Sequence, residues 1–216
     1  MLHGVLDPQP GKLVFALFDD DKLLRQSELE MHPRDASLVP EFAEKELAAC
    51  GTTLENVTRW SFGCGPGSFT FLRVVAALGA GWAAGNDKLR FRCVPGALAL
   101  AAALDIAEGE KAGVIYDGRN KELLCFGVKK VDGELIPTGE ELILNGPAAQ
   151  EYFSANPIRL AAFASEEAVL NKLLEGKIPF SCVEPQLSAL ALAAGEFDND
   201  ADKMCYIRPA VNGRTL

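Results

Sequence analysis

The sequence predicts a mixed α/β fold made of two related halves. Three observations carry that expectation. Strand hairpins precede helices, and this order occurs twice, on either side of a division near residues 105–111. A Gly-rich turn joins a predicted strand over 58–63 to a predicted helix over 68–84. The 216 residues are 49% hydrophobic and 24% charged, which suits burial of a sizeable core. The division sets an N-terminal subdomain at 1–107 and a C-terminal one at 108–216.

Alternation of apolar and polar residues predicts strands at Gly4–Asp7, Lys12–Phe18 and Lys22–Met31, with turns at Pro8–Gly11 and Asp19–Asp21. Leu38, Phe42, Leu47 and Cys50 recur near the helical period between a capping Asp35 and a terminating Gly51. Thr58–Gly63 is a strand, Ser68–Ala84 a helix, Lys88–Val94 a strand, and Pro95 opens an Ala/Leu helix to Ala107. The second half restarts with strands at Ala112–Tyr116 and Glu122–Lys130 around the turn Asp117–Asn120, followed by a turn at Asp132–Gly133. Helices then follow at Pro147–Ala155, at Ser165–Glu175 with Ser165 as cap, and at Gln186–Ala194. Short strands at Ile158–Phe163 and Phe180–Val183 separate them.

Charge excludes one class of partner. The net charge is −9, and no basic stripe offsets it; direct nucleic-acid binding draws most of its affinity from such a stripe. Any RNA is expected to be held by another protein. Six cysteines lack a CxxC pair and mostly lie in apolar runs, so reduced, buried thiols are expected. With only His3 and His32 available, no metal site and no cofactor are expected. No leader pattern opens the chain, and no apolar run approaches the ~20 residues of a membrane span. The expected location is the cytoplasm.

The sharpest motif is Gly63-Cys64-Gly65-Pro66-Gly67-Ser68-Phe69-Thr70. Its glycines permit positive φ and close backbone approach, and Pro66 stiffens the crossing. Ser68 suits a helix N-cap, and successive amides before a helix favour an anion. Arg73 follows on the helix and completes a candidate anion or nucleotide loop, with Asp7 and Asp117 as carboxylates at strand ends. The alternative is a tight turn that needs glycine for packing alone, with Asp7 and Asp117 capping turns. The loop is neither a Walker loop, lacking Gly-Lys-Ser/Thr, nor a nucleophile elbow, since no histidine is placed to serve Ser68. On the helix, Ala76, Ala80 and Ala84 recur every four residues as a small-residue ridge, a candidate partner interface or an internal contact.

Residues 58–84 resemble the signature of the TsaB (YeaZ) family, the glycoprotease-like subunit of the bacterial machinery that makes threonylcarbamoyladenosine on tRNA. The matching residues are Gly63, Gly65, Pro66, Gly67, Ser68, Phe69, Thr70, Leu72, Arg73 and Val74. Weaker echoes are Val5-Leu6-Asp7, Tyr116-Asp117-Gly118-Arg119 with Glu122, and Tyr206-Ile207-Arg208. The resemblance implies an actin-like ATPase, RNase H-like fold. It implies a scaffold subunit without catalysis of its own, which pairs with a TsaD-like catalytic paralogue and a TsaE-like ATPase, homodimerises when alone and meets tRNA only indirectly. The sequence departs from the family at Pro8-Gln9-Pro10, where Thr or Ser usually follows the aspartate, and at Phe71 and Val75, which replace glycines. It also lacks the usual Arg-x-His-Ser pattern near His32–Ser37. Two other readings remain: an actin-like ATPase or kinase using Asp7 and Asp117, and a homodimeric divergent member without the usual partner.

Overall fold

Alternation in the first thirty residues makes a meander of β1 (Leu2–Gln9), β2 (Lys12–Asp19) and β3 (Lys22–Glu30), in a computed structural model that describes residues 1–32, 35–66 and 69–203. α1 (Val39–Ala49), β4 (Arg59–Gly63), α2 (Phe69–Gly85), β5 (Arg90–Val94) and α3 (Ala97–Ala102) follow. β1 pairs antiparallel with β2 and parallel with β4, which gives a mixed sheet ordered β3-β2-β1-β4-β5. The second sheet contains β6 (Lys111–Arg119), β7 (Glu122–Val131), β8 (Glu134–Asn145), β9 (Arg159–Ala162) and β10 (Ser181–Cys182) in the order β10-β9-β6-β7-β8. It repeats the first sheet's topology. α4 (Gly146–Ala155) and α5 (Glu167–Leu174) belong to this second half, and α6 (Ser188–Leu192) closes the described elements.

Among the described residues, the chain divides into one unit within 1–99 with 186–203 and another of 100–185. This differs from the sequence-derived boundary at 107/108 in two respects. The division falls within α3, and α6 with the residues after it returns to the first unit. Arg92 supplies the reason for the return. Its guanidinium is buried, and it donates to the carbonyls of Leu190 at 3.3 Å, Ala191 at 2.8 Å and Gly195 at 3.0 Å. Those carbonyls include the unsatisfied end of α6, so a cation there meets both hydrogen-bonding and dipole demand. Its Nε donates to Ser61 Oγ at 2.9 Å, and Phe197 lies against its face at 4.4 Å. His3, held neutral with its pKa lowered to about 4 by burial and by the Arg92 and Arg59 charges, meets Ser61 Oγ at 3.0 Å. Asn199 then exchanges hydrogen bonds with Phe91 on the otherwise open edge of β5.

Several boundaries differ from expectation for local reasons. β1 runs on through Pro8, where the sequence predicts a turn; β4 reaches only to Leu6↔Phe62, so Pro8 pairs on one side alone. β8 was not foreseen, because Pro137 and Gly139 interrupt its alternation. As an edge strand next to a register shift at Phe126/Val128 it tolerates both. The Ala/Leu helix stops at Ala102 rather than Ala107, where three-residue hydrogen bonds tighten the chain before the left-handed Asp105. Asp35 accepts from the His32 amide rather than capping α1, and Ser165 lies in a short 3-10 turn without acting as a side-chain cap. Cys64 and Cys125 are buried as expected, but Cys182 is exposed. Cys205 and the tail motif Tyr206–Arg208 lie outside the described residues. No helix among the described residues is long and apolar enough to cross a membrane.

The first unit's core is aromatic. Trp60 and Phe62 stack at 5.9 Å, and Trp82 of α2 lies 4.8 Å from Trp60. Gly79 brings α2 onto the sheet, since a Cβ there would overlap the Phe62 ring. In the second unit, Ile115, Leu123, Phe153, Leu160 and Leu170 form the core.

Replacing Arg92 by Ala is expected to lower stability by about 3 kcal/mol, because it orphans buried carbonyls and frees the segment after α6. Hydrogen exchange should quicken first at the Phe91 and Asn199 amides. Unchanged protection there would show that the segment is held by something other than Arg92.

Candidate functional site

The parallel strands β1, β4 and β5 end together, and the candidate loop begins at that edge. In open α/β sheets this is the end at which ligands bind. Asp7 stands one residue beyond the Leu6↔Phe62 pair, beside Gly63. Asp7 is only 3% exposed. A Cβ at Gly63 would overlap Asp7 Oδ1, and one at Gly96 would lie 3.0 Å from it. The two glycines therefore close over the carboxyl because neither has a side chain. Gly65 has φ of +104°, a left-handed conformation suited to glycine, and its carbonyl accepts from the Gly96 amide at 2.8 Å. Cys64 donates its amide to Val94 at 2.9 Å, so the loop continues the β4–β5 ladder.

Gln9 faces the same side of β1 as Asp7, two residues on, and donates to Asp7 Oδ2 at 2.9 Å. Its own Oε1 is buried without a partner among the described residues. Burial raises the Asp7 pKa to about 6 against the opposing Gln9 bond. Sequence reasoning missed Gln9 because it assigned Pro8–Gly11 to a turn, and missed Gly96 by treating it as the start of a helix. The i, i+2 spacing of Asp7 and Gln9 was the available signal.

The structure thus brings Asp7, Gly63 and Gly65 together, with Pro66 buried beside them. Gly67 and Ser68 lie outside the described residues, as do the side chains of Phe69 and Thr70. Arg73 is exposed on α2. Phe71 and Val75, which replace family glycines, are buried in the aromatic core.

The ridge Ala76, Ala80, Ala84 does not keep to one side. A four-residue step turns a helix by about 40° past a full circle, so Ala76 is buried against the sheet while Ala80 and Ala84 are exposed. With Ala77 and Gly81 they form an outward face almost without side chains.

In the second unit, Asp117 ends the run of buried residues in β6 and caps the hairpin turn, accepting from the Arg119 amide at 2.9 Å. Glu166 accepts from the Asp117 amide at 3.4 Å. Its pKa is raised to about 7, first by burial and then by the Asp117 charge, with the Asp117 amide and Arg119 opposing. Its Oε2 is buried without a partner among the described residues. No cluster of three or more metal-ligating His, Cys, Asp or Glu occurs among the described residues.

Residues 32–203 match the family model described as TsaD: tRNA N6-adenosine threonylcarbamoyltransferase. The chain belongs to the TsaD family. Within it the chain is TsaB-like, on the loop residues quoted above and on its fold. An uncharacterized protein with similarity to peptidase YeaZ from Pseudomonas aeruginosa superposes with a TM-score of 0.71 at 19% identity, over 96% of this chain and 99% of that one. YeaZ from Pseudomonas aeruginosa gives 0.65 at 20% identity, over 88% of each. The ethanolamine utilization protein EutJ from Carboxydothermus hydrogenoformans gives 0.50 at 11% identity, again over 88% of each. The fold is the actin-like, RNase H-like one. No curated protein matches the sequence.

The raised Asp7 pKa fixes the sign of a pH effect. The folded state holds a proton that the unfolded chain releases near pH 4, so this stability is present below pH 4 and lost as pH rises through about 6. A shift of this size corresponds to about 3 kcal/mol. Asp7→Asn should therefore raise the melting temperature at pH 8 and leave it nearly unchanged at pH 4. An equal effect at both values would show that Asp7 is not a buried acid.

Proposed function

We propose that the chain is a non-catalytic partner subunit for N6-threonylcarbamoyladenosine modification of tRNA, and that it supports a TsaD-like catalytic paralogue. Family membership supports the pathway. The outward face of α2 supports the partner role, and it is the observation that carries the reading. Gly81 is exposed, and a Cβ added there would meet nothing within 4 Å. Nothing within the described residues requires glycine at this helical position, where it costs about 1 kcal/mol relative to alanine. Together with Ala77, Ala80 and Ala84 it leaves room for another helix to approach closely.

The sealed seat of Asp7 supports the non-catalytic part. A carboxyl that positions a metal-bound phosphate needs access. Asp7 is covered by Gly63 and Gly96 and bonded to Gln9. In this reading the TsaE-like ATPase joins through the paralogue, tRNA is held by the paralogue rather than by this acidic chain, and a second copy occupies the α2 face when the paralogue is absent. The cytoplasm is the compartment where such a complex works.

Ala80→Leu tests the face directly. A leucine at a close helix contact costs about 1–3 kcal/mol, or one to two decades in affinity. Titration against the TsaD-like paralogue of the same organism should show that loss with the melting temperature nearly unchanged. Ala101→Leu, at a fully buried position, should instead lower stability. Normal assembly by Ala80→Leu would move the interface away from α2.

A further inference from the structure

The second unit carries a groove that the proposed function does not use. It has a volume of about 720 Å³ and lies among the β6–β7 turn, the N-terminus of α4 and the last turns of α5. That volume falls in the range of small-molecule sites, roughly 300–1,000 Å³. Two chemistries share its walls. Arg119 and Lys121 on the turn and Lys172 on α5 bring three cations to one depression of a chain with net charge −9. Among the described residues none of the three forms an ion pair. Beside them Leu173 and Val169 of α5 supply apolar surface, and Val169 is 41% exposed.

The cations sit on well-defined supports. Arg119, Asn120 and Lys121 all have left-handed φ, between 51° and 63°, and the Asp117 carboxylate holds the turn through the Arg119 amide. Lys172 projects from the last turn of α5. The start of α4 adds a favourable field for an anion but few donors, since the Asn145 side chain already accepts from the Ala148 amide and Pro147 has none. The donors to a ligand are therefore the three side chains. Asp117, on the same wall, would repel a second anionic group and accept from a hydroxyl or amine instead.

We propose that this groove binds a small molecule carrying a phosphate or carboxylate on an apolar or aromatic body. A bare oxyanion would leave the Val169–Leu173 wall unused, and a neutral apolar ligand would leave three cations unanswered. A polyanion such as RNA would meet the chain's negative charge beyond the groove.

The test uses the full chain with phenyl phosphate, benzoate, inorganic phosphate and an oligoglutamate peptide as probes, followed by calorimetry and amide NMR. Saturable binding of phenyl phosphate or benzoate is expected, tighter than inorganic phosphate, with shifts centred on residues 119–121 and 169–173. Whichever aromatic probe binds better identifies the oxyanion. Lys172→Ala and Arg119→Ala should each weaken it about tenfold, the worth of one charge-assisted hydrogen bond. Val169→Glu should weaken the aromatic probes more than inorganic phosphate. All three residues are exposed, and unchanged melting temperatures would confirm intact folding. The proposal is overturned if neither aromatic probe saturates, if the variants bind as well as wild type, or if only the peptide binds.

Discussion

The first unit depends on how closely backbone can approach one carboxyl. β1, β4 and β5 end side by side, and Asp7 at the end of β1 fits only because Gly63 and Gly96 present no Cβ to it. That packing excludes water, so the carboxyl is drawn towards its neutral form and bonded by Gln9 from its own strand. The same glycine-rich stretch sets the course of the chain into α2. Gly79 then lets that helix rest on Phe62, while Phe71 and Val75 fill the core beside it. A larger residue at either seat would move the helix that carries the outward face.

The two units share a strand order but treat the same end of the sheet differently. In the first, the polar group is sealed under backbone. In the second, the hairpin turn after Asp117 stays open beside a groove, and the acid is the half-buried Glu166, contributed by the turn after β9. Each unit carries a carboxyl whose pKa burial raises, at the C-terminal ends of its parallel strands. Desolvation dominates both shifts, so neither requires a bound ligand. The open edge of the first sheet is handled separately. Arg92 pins the end of α6, and Asn199 supplies the hydrogen bonds that β5 would otherwise leave unmet.

Much of this was legible in the sequence because it rests on local periodicity. The meander, the strand–loop–helix and the doubling of the pattern all follow from alternation and glycine placement, and the eight-residue loop motif pointed to the family. The failures came where tertiary packing overrides local preference. Pro8 reads as a turn but sits in a strand that is paired on one side there. Pro137 and Gly139 hid an edge strand that tolerates them. Arg92 alternates like any strand residue, and nothing local reveals that it binds a helix end a hundred residues later. The ridge on α2 was legible as composition but not as orientation, since only the packed sheet fixes which alanines turn outward.

That orientation also bears on why the outward face is so bare. Small residues against the sheet have an internal cause: Ala76 is buried, and Gly79 meets the Phe62 ring. No such cause applies to Gly81, whose missing Cβ would point into open space. Alanine is the best helix former, so Ala77, Ala80 and Ala84 cost the helix nothing in propensity, whereas Gly81 costs about 1 kcal/mol without gaining packing among the described residues of the first unit. In the proposed partner role, close approach by a second helix would offset that cost through backbone-level van der Waals contact.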